Sequence, residues 1–201
     1  MITIATLLWR PNSKSYPFSR MYDESWVEKL YRGFHRNLTQ PFRFICFTDM
    51  RRSYSEPIEQ KFIEGPIDYH CCTQPYRLGD PMILVGLDTV IVGNVDHLAE
   101  YCIKSDVLAL PRDPYHPERA CNGVALVPAG HQDIAGNPGE NDMVWVRRFP
   151  HKYIDDLFPG QVVSYKGHVK KNGLGDARIV YFHGKEKPHE IEEDWLKDHW
   201  I

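Results

Sequence analysis

Asp88 follows the apolar run Met82-Ile83-Leu84-Val85-Gly86-Leu87 and precedes Thr89-Val90-Ile91-Val92. A carboxylate in so apolar a setting needs a partner, because burying an unpaired charge is costly. Far downstream, Ile179-Val180-Tyr181-Phe182 leads into His183-Gly184, with Lys187-Pro188 one loop further on. Each segment sets polar, metal-capable groups just past an apolar stretch of strand length. A carboxylate at one strand end, with an imidazole and an ammonium at another, suits a divalent cation holding a diphosphate. Oxygen donors plus one imidazole fit manganese or magnesium. Lys187 would act on a phosphate as a point charge, and Gly184 lets the backbone approach a ligand closely. The alternatives are structural: Asp88 as a turn-capping carboxylate and His183 as a satisfied strand-end residue. The conjunction of Gly184 and Lys187 with His183 favours ligand chemistry.

Such groups meet only if a parallel sheet brings several strand ends to one edge, where open α/β sheets bind ligands. The chain reads that way. Residues 2–9 form an apolar strand. Trp26, Val27, Leu30, Tyr31, Phe34 and Leu38 recur at helical period after Asp23, with Pro41 as a stop. Residues 42–47 form a second strand, ending in Thr48-Asp49, and this β-α-β opening implies parallel pairing. Further strands are expected at 61–63, 82–85, 107–110, 123–127 and 179–182, with 90–92 continuing extended after the 82–85 strand. Helices are expected at 95–102, 142–149 and in the tail. Loops are expected at 111–117, which holds three prolines, and at 129–139. The 82–85 strand lacks alternation and so should be buried on both faces.

The 201 residues suit one domain, 1–201, with a sizeable core. The formal net charge of −3 argues against broad affinity for nucleic acid. No apolar stretch approaches the roughly 20 residues of a membrane span. The N-terminal MITIATLLWRP lacks a basic region and a cleavage site, and reads as a strand, not a signal peptide. Five cysteines without a C-x-x-C pair indicate neither a zinc site nor a disulfide framework, and suit a reducing, cytoplasmic setting.

The segment Gly86-Leu87-Asp88-Thr89 resembles the Asp-x-Asp strand end of GT-A nucleotide-sugar glycosyltransferases, with glycine in place of the leading aspartate. The segment from His183 to Pro188 is similar to the His-x-(x)-Gly-x-x-Lys-Pro stretch of glycosyltransferase family 8, with one spacer fewer. TLLW at 6–9, CFTD at 46–49, CNGVALV at 121–127 and VVSYK at 162–166 echo the same family in order. The resemblance runs nearly end to end. It implies an α/β, single-domain GT-A-like fold with a mixed, mostly parallel central sheet flanked by helices. It also implies transfer of a sugar from a nucleoside diphosphate donor, by default a UDP-sugar, to an acceptor that is a glycan, a protein or a modified nucleic acid, with anomeric retention as the default.

The same resemblance implies roles. Asp88 and His183 become ligands for manganese or magnesium, and Gly184 and Lys187 hold the leaving diphosphate. Asp142, where relatives carry an Asp-Gln pair, and Asn122 become candidates beside the donor sugar, although Asp142 also suits a first helical turn and Asn122 a turn before glycine. Trp9, Arg10 and Asp49 lie at the ends of the first two strands, where such folds bind the nucleoside; Trp9 would equally suit the core. Arg77 stands nearest the place of a donor-binding lysine, with different geometry. Two other functions stay open: a non-catalytic nucleotide-sugar-binding protein of the same fold, and a nucleotidyltransferase or sugar-phosphate hydrolase. The second is disfavoured by the absence of a G-x-G-x-x-G or P-loop pattern.

Overall fold

Asp23 starts the first long helix. Its carboxylate accepts from the Ser25 N–H at 3.0 Å, and the helix runs Glu24–Asn37. Trp26, Val27, Leu30 and Phe34 lie on one face and are buried. That face packs against a parallel pair, β1 (Ile2–Leu8) and β2 (Phe42–Thr48), in register from Ile2↔Phe42 to Leu8↔Thr48. The computed structural model describes residues 1–201.

The remaining strands are β3 (Glu59–Phe62), β4 (Met82–Val85), β5 (Thr89–Ile91), β6 (Leu108–Leu110), β7 (Arg112–Asp113), β8 (His116–Ala120), β9 (Val124–Val127), β10 (His151–Tyr153), β11 (Val162–Ser164) and β12 (Ile179–Tyr181). Seven form the central sheet, in the order β10-β6-β9-β4-β1-β2-β3. Only β9 runs antiparallel to its neighbours, β4 and β6. The fold is therefore mixed α/β with a mostly parallel central sheet, as expected. Strand alternation divides its core into two layers. Ile83 and Val85 of β4 join the long helix on one side, while Met82 and Leu84 join Tyr76, Ala125 and Val146 on the other.

A second sheet, β11-β12-β5, completes the molecule. After β4 the chain does not continue in the central sheet: Gly86, Leu87 and Asp88 turn it into β5, which pairs antiparallel with β12. The Phe182 N–H donates to the Asp88 carbonyl at 3.0 Å, fastening the turn to the end of β12. Asp88 thus sits on the seam between two sheets.

Several boundaries differ from the sequence reading. Residues 111–117, expected as a loop, contain the ribbon β7–β8. Asp113 accepts from the Tyr115 and His116 N–H groups at 3.0 and 3.2 Å and so makes the turn, while Pro117 is tolerated in a two-stranded ribbon with open edges. Within 129–139, Gln132–Gly136 is a short 3-10 helix that buries Ile134. The 142–149 helix spans Asp142–Val146, and the 95–102 helix spans Asp96–Lys104. The irregular 51–76 region ends in a 3-10 helix, Tyr69–Leu78, terminated by Gly79 at φ +69°.

Gly79 permits a direct prediction. A Cβ there would fall 2.1 Å from Gln132 Nε2, in a left-handed backbone. Gly79→Ala should cost about 1–2 kcal/mol and lower the melting temperature by roughly 2–8 °C. Adding Gln132→Ala should recover only the steric share. A melt of Gly79→Ala indistinguishable from the parent would contradict this assignment.

Candidate active site

A cavity of about 290 Å³ opens at the C-terminal ends of β1 and β4 and beside the start of β9. Parallel strands deliver their last residues there, and the segment after β12 closes it from the other sheet. Its walls are mainly apolar and aromatic, including Leu7, Trp9, Tyr22, Tyr69, Tyr76 and Leu84. Five polar or charged side chains of the sequence expectation converge on it: Asp88, Asn122, Asp142, His183 and Lys187.

The Lys187 ammonium donates to the Asp88 carboxylate, the two side chains being 5% and 15% exposed. The same ammonium lies 5.8 Å above the Tyr22 ring. Burial and the adjacent Asp88 carboxylate push the Tyr22 phenol well up. Lys187 is fixed by its own turn: its N–H donates to Glu190 Oε2 at 2.9 Å, and the Glu190 N–H returns to the Lys187 carbonyl at 2.9 Å. Opposite, Asp88 leans over Gly86, where an added Cβ would lie 3.0 Å from Asp88 Oδ1.

His183 Nε2 is 2.8 Å from Ser164 Oγ, which also accepts the Gly167 N–H at 3.0 Å. Tyr115 meets the imidazole edge-on with centroids 5.4 Å apart. Burial and the neighbouring Lys166 ammonium push the His183 pKa below its usual value. Gly184 adopts φ +63°, and a Cβ there would lie 3.4 Å from Lys166 Nζ.

Also on the cavity wall, Asn122 Nδ2 donates to Asp142 Oδ2 at 2.7 Å. Asp142 opens the Asp142–Val146 helix, and Asn141 before it accepts the Val144 N–H at 3.3 Å. Burial pushes the Asp142 carboxyl up, against the opposing hydrogen bond from Asn122. The Cys72 thiol is pushed far up by burial and by Asp142 beside it, so it is an inert neighbour and no nucleophile. Trp9 lines the cavity with its indole Nε1 lacking any partner, and Tyr69 meets it edge-on at 6.3 Å.

Three expected nucleotide contacts lie outside the cavity. Asp49 Oδ2 accepts from Arg10 Nε at 2.7 Å, and Oδ1 from Arg52 Nη2 at 3.0 Å. Burial alone would raise the Asp49 pKa, but the Arg10 and Arg52 hydrogen bonds outweigh it and hold it low. Arg77 is exposed and pairs with Glu64. Arg10 and Asp49 thus secure the end of β2, and Arg77 secures a surface turn. Sequence reasoning passed over Tyr22, Tyr69, Tyr76 and Lys166. Lys166 was open to discovery by the rule that found His183, since it too lies just past an apolar strand. The tyrosines carried no comparable signal.

The residues present do not amount to a metal centre. Asp88 and His183 are the only expected ligands, and no group of three His, Cys, Asp or Glu side chains converges anywhere in the chain. Gly86 contributes no carboxylate. The one acid is already neutralised by Lys187, and His183 Nε2 is engaged with Ser164.

This sheet order and the site at its strand ends define an α/β architecture of GT-A type. Among solved structures, the glycosyltransferase GlyE of Streptococcus pneumoniae TIGR4 matches with a TM-score of 0.58 at 12% identity, covering 98% of this chain and 62% of that one. The chain therefore spans less than two thirds of that structure's length. The galactosyltransferase LgtC, solved in complex with donor and acceptor sugar analogues, covers 92% of this chain and 88% of its own at 10% identity, with a TM-score of 0.48. At these identities the likeness to GlyE establishes the fold alone. The sequence matches no family profile and no curated protein.

Proposed function

We propose that this protein transfers a sugar from a nucleoside diphosphate donor, by family resemblance a UDP-sugar, to a glycan, protein or modified nucleic acid acceptor. The observation that supports this most is a pair of polar groups on one aromatic-walled cavity: the Lys187 ammonium held by Asp88, and the Asp142 carboxyl held by Asn122. Sugar transfer uses both. Negative charge develops on the departing diphosphate, where preorganised positive charge lowers the barrier. The anomeric carbon becomes oxocarbenium-like, where a carboxylate or amide stabilises positive charge. Lys187 would serve the first need, and Asp142, oriented by Asn122, the second. The aromatic walls would exclude water and so limit hydrolysis of the donor. Manganese or magnesium was the expected cofactor, but the donor set does not suit either ion and no step of this mechanism uses one. Retention remains the default that the resemblance implies.

A nucleotide panel tests this reading. Ligand at about 100 times its Kd stabilises a folded protein by about 2.7 kcal/mol, so UDP or a UDP-sugar should raise the melting temperature by roughly 5–11 °C. No shift with any nucleoside diphosphate or nucleotide sugar, with or without manganese, would sink it. A non-catalytic binding protein of this fold is favoured by one observation, the glycine at position 86. Binding without release of nucleoside diphosphate would decide for that alternative, and release of monophosphate for a nucleotidyltransferase or hydrolase.

A further inference from the structure

We propose that Lys166 and Lys187 together hold the donor's diphosphate directly, in place of a divalent cation, and that Asp88 positions Lys187 instead of binding metal. This rests on the transferase reading above. Three observations carry it. First, Asp88 is committed: its carboxylate takes the Lys187 ammonium, and Gly86 leaves no second acid beside it. Second, Lys166 is half-buried against Gly184 and beside His183, which lines the cavity, and no carboxylate holds its ammonium. The next lysine along the chain, Lys170, is by contrast taken by Glu186. Holding an uncompensated charge partly out of water is unfavourable, and an arriving anion relieves that cost. Third, Gly184 lies between the two lysines in sequence, with a left-handed backbone and no side chain, and its neighbour His183 feels both ammonium groups, so an anion can approach there.

The charge balance agrees. Two ammonium groups and one carboxylate leave one net positive charge fixed beside the place of a diphosphate, without any ion from solution. A lysine acts on phosphate as a compact point charge with three rotatable donors. Ammonium groups fixed before the donor arrives need no reorganisation when charge develops on the leaving group.

Calorimetry on the full chain tests this, with UDP and inorganic pyrophosphate as probes, first in chelator and then with manganese. The parent protein should bind both in chelator, with manganese changing the UDP Kd less than about threefold. Loss of a hydrogen bond to a charged group, about 1.5 kcal/mol, predicts that Lys166→Gln weakens UDP about tenfold. Lys166→Arg should recover most of the affinity. Asp88→Ala should weaken UDP to a similar degree in chelator and in manganese, because it frees Lys187 from its position; a metal site would lose affinity only where manganese is present. UDP binding that requires manganese, or a neutral Lys166→Gln, overturns the proposal while leaving the transferase reading standing. Pyrophosphate binding without UDP binding would keep the two lysines and sink the nucleotide-sugar reading. Binding of neither probe under any condition overturns both.

Discussion

Lys187→Met is expected to destabilise the protein by about 3 kcal/mol, the low end for breaking a buried ion pair, since Asp88 keeps 15% exposure. The substitution retains the aliphatic stem and removes only the ammonium. It strands the Asp88 carboxylate beside Leu87 and the Tyr22 ring, where water reaches it poorly. A loss of that size lowers the melting temperature by roughly 6–12 °C. The double change Lys187→Met with Asp88→Asn removes both charges and should recover most of the loss, because a neutral pair of similar shape often matches a buried ion pair in stability. Urea melts of the four proteins give the coupling energy directly. A single variant within about 0.5 kcal/mol of the parent, or a double variant no better than the single, would show that the pair is solvated and weak.

Asp142→Asn should separate function from stability. Under the role proposed for it beside the donor sugar, its loss should slow transfer by about 10²–10⁴-fold, measured as nucleoside diphosphate release. The fold should become more stable at neutral pH. Burial raises the Asp142 pKa above its unfolded value, so between those two values the native state binds more protons than the unfolded chain. Stability then falls as pH rises through that window. Asparagine feels no such loss and keeps the shape that meets Asn122. The variant should therefore melt higher than the parent at pH 7, and the gap should close as pH falls below the unfolded carboxyl value of about 3.9. Equal melting temperatures at pH 7, or a gap that widens in acid, would contradict a carboxyl whose pKa is raised by desolvation.

The parts of the fold legible in the sequence were those set by periodicity. The long helix from Glu24 showed its buried face at helical spacing, and β1, β2, β4 and β9 each showed an apolar run. β5 looked like a continuation of β4 because both are apolar, and nothing local marks a change of sheet. Its true partner, β12, lies far away in sequence. The β7–β8 ribbon was hidden by prolines, which argue against strands except at open edges. In the site, Asp88, His183 and Lys187 were visible as polar residues following apolar runs, and Asn122 and Asp142 through the family resemblance alone. The pairing of Asp88 with Lys187 was not, because a sequence shows a carboxylate's need for a partner without showing which partner arrives first. Asp49 shows the same limit: the sequence does not reveal that Arg10 and Arg52 hydrogen-bond its two oxygens.

The seam between the sheets has a consequence for how the protein is made. A ribosome releases β1 through β10 before β12, so every strand of the central sheet can pair while β5 still waits for Ile179 to meet Ile91. Until then Asp88 has no ammonium and the cavity has only the walls that β1, β4 and β9 supply. Contacts between residues so distant in sequence form late and slowly. A nascent or truncated chain ending before Ile179 would lack Phe182, His183 and Lys187. Such a chain would show helical and sheet signals without the wall that Phe182, His183 and Lys187 supply, so the cavity is complete only when the last strand is in place.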